Sequence, residues 1–460
     1  MLVSGLMLAV PAVAGAAQPA IGHVFVIVLE NKDYDQSFGP QAKSPELGQV
    51  LPSQGVLLTH YYGTAHNSLP NYIAMVSGQG PNPITQSDCQ IYQEFTPGTI
   101  GADGQAIGAG CVYPSSVKTV ADQLTAAGLT WGGHMEDMGN SPTEDKTCSH
   151  PALNSDDSTQ QATATDQYAA RHNPFVYFHS IIDSPDCAQR DVPLDRLQVD
   201  LQSVATTPNL TFITPDLCSD GHDEPCADGR PGGYGSIDAF LKEWVPRIED
   251  SPAYRQDGAL IVTFDESESG AEGCCVQDHP NTPNAGGQTP GPGGGRTGTV
   301  VVSRFVTPGT TTNTPYNHYS FLRTIEDLFG LAPLGYAARS SAFGQDVFNA
   351  TGVAAAATPA APGSTPTSAP VSGSCRSTRL SRRGTLARGT LIARVTRSGR
   401  TIRVRMAHTA RVQFKVNGRH DTMRTGRACR TIAFRTPKGT RRVQIKATVR
   451  NARELRALRL

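Results

Sequence analysis

Residues 23–35 read His23-Val-Phe-Val-Ile-Val-Leu-Glu-Asn-Lys-Asp-Tyr-Asp35, and the apolar run from Val24 to Leu29 decides the fold class. A strand wetted on one face alternates apolar and polar residues. A run that stays apolar is buried on both faces, as in a parallel sheet covered by helices. Similar runs occur at Leu129–Trp131, Phe175–Phe178, Leu210–Ile213, Leu260–Phe264 and Thr299–Val302. Between them, Val117–Ala127 and Ile237–Ile248 carry helical spacing. So does Asn317–Leu331, where Phe321, Leu322, Ile325, Leu328 and Phe329 share a face and Gly330 marks an end. Strands alternating with helices predict an α/β fold, a mainly parallel sheet with helices on both faces.

The same stretch ends in acids. Glu30-Asn31 follows the first run directly, and Asp265-Glu266 follows Phe264. His134, Glu136 and Asp137 follow the run ending at Trp131, and Asp216, Asp220 and His222 follow Ile213. Open α/β sheets bind ligands beyond the carboxyl ends of their strands. A single acid there is ordinarily a turn former or helix cap. Several together, with histidines, suit one hard or borderline divalent cation.

His66-Asn-Ser-Leu-Pro-Asn-Tyr72 opens another helical segment, with Pro70 in its first turn and Ser68 at or near the N-cap. The plain reading of Ser68 is a cap. The chemical reading is a nucleophile at the positive end of a helix, where N–H groups and the dipole favour a phosphate. A lipase-type Gly-x-Ser-x-Gly elbow is absent, and the glycine-rich stretch 286–298 holds no phosphate-binding P-loop motif. That stretch reads as a loop able to cover the site.

Across 460 residues the net charge is zero, but it is unevenly placed. From Cys375 onward there are 25 Lys and Arg against Asp421 and Glu454, leaving 15 basic and 38 acidic residues before it. An acidic body of −23 is therefore joined to a basic tail of +23. The division reads as a signal-like segment at 1–17, a body at 21–350, an uncharged Ala/Pro/Thr/Ser linker at 351–374, and a basic domain at 375–460. Period-2 patterns at 401–406, 411–416 and 441–449 make that domain β-rich. Its charge suits an anionic envelope polymer, lipid headgroups or the acidic body itself, and no nucleic-acid motif appears.

Ten cysteines without a Cys-x-x-Cys pair favour disulfides in an oxidising compartment over zinc. Proximity suggests Cys89–Cys111, Cys148–Cys187 and Cys375–Cys429. Cys218, His222 and Cys226 read as a local disulfide or, less simply, a metal group.

Taken in order, the segments 23–35, 66–72, Met135-Glu-Asp-Met138, Ser219-Asp-Gly-His-Asp223, Val262-Thr-Phe-Asp-Glu266 and 317–331 resemble the motifs of the bacterial phosphoesterase family of secreted acid phosphatases and phospholipases C. The resemblance covers about 21–350 and is greatest to the acid phosphatase branch, which includes phosphatidylinositol 3-phosphate phosphatases. Asn67 stands where relatives often carry proline. The resemblance implies an alkaline-phosphatase-like fold and one divalent ion held by Glu30, Asn31, Asp265 and Glu266. It implies Ser68 as nucleophile through a phosphoserine, with His222 and His318 at the phosphoryl group. Asn31, His66 and Asn71 would touch substrate, while His134, Glu136, Asp137 and Asp220 would support the ligands. The expected protein is a secreted or envelope-associated phosphomonoesterase. The alternatives are a phosphodiesterase of phospholipase C type and a non-catalytic envelope-binding protein.

Overall fold

The computed structural model describes residues 19–275, 279–282 and 284–350, together with seven strands between 392 and 459. The expected signal at 1–17, the linker at 351–374 and the pair Cys375–Cys429 lie outside the described residues. The chain divides into two compact units, Met1–Pro359 and Ala360–Leu460.

The first unit is built on eight strands, labelled here in chain order: β1 (His23–Leu29), β2 (Val56–Leu58), β3 (Trp131–Met135), β4 (Asp191–Pro193), β5 (Leu210–Thr214), β6 (Gly258–Phe264), β7 (Thr299–Ser303) and β8 (Thr310–Thr312). They lie in the order β8-β2-β7-β6-β1-β5-β3-β4. Only β7 runs against the others, pairing antiparallel with β6 and β2. The predicted α/β class, with a mainly parallel sheet, is what the chain adopts.

β1 is central and all seven of its residues are buried. Its side chains alternate between two cores. Val24, Val26 and Val28 join Leu69, Ile73, Leu322 and Ile325, from the helices α1 (Ser68–Ser77) and α4 (His318–Phe329). Phe25, Ile27 and Leu29 join Ile237, Phe240, Leu241 and Val245 of α3 (Gly233–Glu249) on the other face. Burying each such side chain contributes roughly 1.5–3 kcal/mol. This two-sided burial is why the run carries no polar alternation. α2 (Val120–Ala127) covers the first face and starts with a full capping box between Thr119 and Asp122. α4 is capped by the Asn317 side chain, which accepts from the N–H groups of Tyr319 and Ser320, and it stops at left-handed Gly330.

Two expected strands differ. Phe175–Phe178 is not extended. Pro174–Tyr177 forms a 3-10 turn, with the Asn173 side chain accepting from the Phe175 N–H, and a one-turn helix follows. Short apolar runs buried on all sides have no period that separates strand from turn. The run at 129–131 belongs to a strand that begins at Trp131 and continues to Met135, so His134 lies inside the sheet and not beyond its end. Gly132 and Gly133 make this possible. A Cβ on Gly133 would stand 2.8 Å from Asp191 Oδ1 and 2.9 Å from Phe175.

Asp191 in β4 is wholly buried. Its Oδ2 accepts from Asn173 Nδ2 at 2.8 Å, while Oδ1 has no hydrogen-bond partner. Burial pushes its pKa up to about 7, against the Asn173 hydrogen bond, which lowers it. The native state therefore keeps a proton that the unfolded chain loses near pH 4. That stabilisation is complete below pH 4 and is lost as pH rises to about 7. Asp191→Asn keeps the acceptor and removes the titration. It should raise the melting temperature at pH 8 by several degrees more than at pH 4, a difference on the order of 2–4 kcal/mol, measurable by calorimetry at the two pH values.

The disulfides pair Cys89–Cys111, Cys148–Cys187, Cys218–Cys226 and Cys274–Cys275. The first two are as expected, and the third resolves the Cys218/Cys226 alternative as a disulfide. Among the described residues no helix is long and apolar enough to cross a membrane.

Among the described residues the second unit holds seven strands in two antiparallel sheets. One contains Ile392–Ser398, Thr401–Met406 and Thr431–Arg435. The other contains Arg419–Gly426, Ala410–Val416, Arg442–Val449 and Ala452–Arg459. All three expected strands are among them.

Candidate active site

β1 and β6 are neighbours in parallel register, so Leu29 lies opposite Phe264 and the acids that follow them emerge side by side. Asn31 takes a left-handed turn (φ 39°), which asparagine tolerates better than most residues. The turn leads the chain away from the sheet and fixes Glu30 and Asn31 at its edge. The Asn31 N–H donates to Asp265 Oδ1 at 3.1 Å, and its Nδ2 donates to Glu266 Oε1 at 2.8 Å.

Ser68 is the first residue of α1, one position inside the Asn67 cap. Its hydroxyl donates to Glu30 Oε2 at 2.9 Å, and Tyr72, one turn later, donates to Glu30 Oε1 at 2.5 Å. Residues four apart share a helix face, so α1 presents both hydroxyls to one buried carboxylate. The helix end is not wholly open to an anion. Asp88 Oδ1 already accepts from the Leu69 N–H at 3.0 Å, and Pro70 has none to offer. The loop before α1 is held by Asn71. Its Oδ1 accepts from the N–H groups of Thr64 and Ala65, and its Nδ2 donates to the carbonyls of Ala65 and Asn67. The Asn71 amide shapes the loop that carries Ser68.

The histidines divide by role. His66 faces Glu266 Oε2 through Nδ1 and meets the Gly270 carbonyl at 2.6 Å through Nε2. His318, at the start of α4, donates from Nε2 to the Asp265 carbonyl and meets the Tyr61 hydroxyl at Nδ1, 3.0 Å away. A carbonyl only accepts, so Nε2 carries the proton. Burial lowers the His318 pKa to about 4, leaving a neutral ring that fastens Asp265. Both its nitrogens are occupied in this structure, one by the Asp265 carbonyl and one by the Tyr61 hydroxyl. His222 is different. Its side chain is 34% exposed, its N–H donates to Asp220 Oδ1 at 2.8 Å, and its Nδ1 pairs with Asp223 at 2.7 Å. It is the histidine of this group that reaches solvent.

His134 is tied elsewhere, to Asp200 Oδ2 at 3.2 Å, because it sits within β3. Glu136 and Asp137 line a groove with Arg230, Phe240 and Trp244. Glu136 accepts from the Asp216 N–H at 3.0 Å, and Asp137 from the Gln167 N–H at 3.1 Å. Their partners are the 216–222 loop and its neighbours rather than the ligand acids, so the support expected of His134, Glu136 and Asp137 is not direct. The glycine-rich segment is a loop, as expected, with one end fixed. Gly294 and Gly295 are buried and hydrogen-bonded to Gly63, as part of the wall.

The carboxylates are buried in excess. Burial raises the pKa of Glu30 well above the usual carboxylate range, with Asp265 and Asp220 adding to the rise. Burial, then Asp265 and Asp88, does the same for Glu266. Asp265 is pushed up to about 6, chiefly by burial. Its Oδ2 is buried without a hydrogen bond of proper geometry. Buried carboxylates without a counter-charge cost several kcal/mol each. Glu30 and Asp265, joined to Ser68 and to the Asn31 N–H, form an oxygen-rich group of the kind that takes a divalent cation, while Glu266 faces Asn31 Nδ2 and His66 Nδ1.

Two neighbours escaped the sequence reading. Tyr72 was legible, since it stands four residues after Ser68. His172 was not. It arrives on a 3-10 turn (Ala170–His172) from a distant segment, stacking on Tyr72 with ring centres 5.2 Å apart.

A family model described as the phosphoesterase family matches residues 49–332. The chain is 25% identical over 316 residues to an acid phosphatase of Aspergillus fumigatus, covering 69% of this chain and 56% of that protein. It is 25% identical over 331 residues to a phosphatidylinositol-3-phosphatase of Mycobacterium tuberculosis, covering 72% and 84%. The chain thus spans little more than half the length of the Aspergillus relative. A solved structure of a protein in the alkaline phosphatase superfamily from Vibrio parahaemolyticus overlays with a TM-score of 0.38 at 10% identity, covering 96% of this chain and 84% of that one.

Proposed function

Because the chain belongs to the phosphoesterase family, we propose that it is an exported, metal-assisted phosphatase that hydrolyses phosphate monoesters through Ser68. The single observation that carries this reading is the Ser68 hydroxyl at the start of α1, donating to buried Glu30 beside Asp265. Glu30, Asn31, Asp265 and Glu266 would hold a divalent ion, which when bound supplies charge neutralisation at the phosphoryl oxygens and at Ser68.

The remaining work falls to the chain. Glu30 Oε2 takes the Ser68 proton along the existing hydrogen bond. Ser68 Oγ attacks phosphorus, and the bond from phosphorus to the alcohol oxygen breaks. His222, the solvent-reaching imidazole, gives the departing oxygen its proton. Water, giving a proton to His222, then attacks the phosphoserine; the bond from phosphorus to Ser68 Oγ breaks, and the oxygen takes back its proton from Glu30 as phosphate leaves. Asn31 and His318 keep Asp265 in place throughout, and Asn71 keeps the nucleophile loop in shape. Disulfides in the described unit support export to an oxidising compartment. The relatives named as acid phosphatase and phosphatidylinositol-3-phosphatase support monoesters, phosphoinositides included, as the substrate class.

The test compares p-nitrophenyl phosphate, its bis-ester and phosphatidylcholine from pH 4 to 9 with divalent metal supplied. Monoester turnover should exceed the other two at least tenfold. His222→Ala should lower kcat on unactivated alkyl phosphates more than on p-nitrophenyl phosphate, whose leaving group scarcely needs a proton. Preferential diester cleavage would assign the site to a phospholipase C type of reaction instead.

A further inference from the structure

A second group of donors meets Glu30. His172 Nε2 stands 3.5 Å from Glu30 Oε1, and His172 Nδ1 stands 3.2 Å from Asp220 Oδ2. One donor atom from each of the three residues falls within 4.8 Å of the others, and all three residues are buried. The His172 side chain is 1% exposed, yet neither ring nitrogen makes a hydrogen bond, and Asp220 Oδ2 makes none either. A buried imidazole between two carboxylates ordinarily points its N–H groups along the acceptors at about 2.7–3.2 Å. These contacts are long or off that axis. An imidazole gives a single ion only one of its two nitrogens, and one donor atom from each of the three residues within 4.8 Å of the others leaves space for such an ion. The ring is also held in place before any ion arrives, by its stack on Tyr72, whose hydroxyl is bound to Glu30.

We propose that Glu30, His172 and Asp220 form a second cation site, with Glu30 shared between this ion and the one expected at Asn31, Asp265 and Glu266. One imidazole nitrogen with two carboxylates suits a borderline metal of the zinc or manganese kind better than calcium or magnesium. The proposal rests on Glu30 also serving the phosphoryl site. The second ion would fix the carboxylate that receives the Ser68 hydroxyl.

The full chain, freed of metal by chelator and then dialysed, is titrated with Mn2+ alone. Bound metal is counted by elemental analysis and calorimetry, and the electron paramagnetic resonance spectrum is recorded. Two ions per chain are expected, with the spin coupling of a carboxylate-bridged pair. His172→Gln and Asp220→Asn should each bind one uncoupled ion, and Asp265→Asn should lose the other. One ion in the wild type, two uncoupled ions, or two coupled ions in both His172→Gln and Asp220→Asn would overturn the proposal. Should both variants fail to fold, the wild-type count and coupling decide alone. A single ion with phosphomonoester turnover intact removes only the second site. No turnover at full metal loading removes the phosphatase reading.

Discussion

Ser68→Ala is expected to reduce turnover of p-nitrophenyl phosphate by roughly 10³-fold or more, the scale on which loss of a nucleophile is felt. The fold should survive it. Position 68 opens α1, where alanine is a strong helix former. Glu30 keeps its hydrogen bond from Tyr72, so the buried carboxylate is not left bare. The melting temperature should therefore move by only a few degrees while kcat collapses. Rapid mixing of wild type with excess substrate should show a burst of about one nitrophenol per chain wherever hydrolysis of the phosphoserine is the slower step, and the variant should show none. Turnover within tenfold of wild type in a folded Ser68→Ala would place the nucleophile elsewhere.

Removal of the metal should be nearly as damaging. Exhaustive chelation is expected to lower turnover about 100-fold or more, with recovery on adding a divalent ion and no recovery in Asp265→Asn. Stability should follow with a defined pH dependence. In the metal-free chain Asp265 holds its proton to about pH 6, whereas the unfolded chain releases it near pH 4. The protonated carboxyl favours the native state fully below pH 4, and that contribution falls away as pH rises through 6. Above that pH a cation must replace the proton. Thermal unfolding with chelator and with Mn2+ should thus show a larger metal-induced rise at pH 7.5 than at pH 5. Ion at a thousand times its dissociation constant is worth about 4 kcal/mol. An equal rise at both pH values would separate metal binding from Asp265.

How much of this was legible follows from how far each contact reaches along the chain. The run 24–29 disclosed its two-sided burial, because a strand's environment is written in its own residues. The acids after β1 and β6 could be placed together because parallel strands end on the same side. Ser68 could be placed at a helix start from Pro70 and the residues after it. His172 could not be found this way. Nothing in Ala169–Asn173 marks it, and its place depends on Tyr72, Glu30 and Asp220 arriving from three other segments. The reading of His134 failed by position. Sequence placed it beyond a strand end, while the close approaches at Gly132 and Gly133 let the strand run on to Met135. His318 and Asn71 were recognised as part of the site, but their hydrogen bonds are filled by the protein itself. Only three-dimensional neighbours reveal that kind of occupancy.

The disulfide pattern bears on how the molecule is made. The eight cysteines of the described body close strictly in sequence: 89 with 111, 148 with 187, 218 with 226, and 274 with 275. On the export route proposed above, each thiol of the body meets its partner as the next one to leave the pore, before a competitor has emerged. A chain threaded amino end first needs an oxidant at the exit but no isomerase to undo crossed pairs. Refolding from a fully reduced, full-length state is the harder route, because all ten thiols then compete at once.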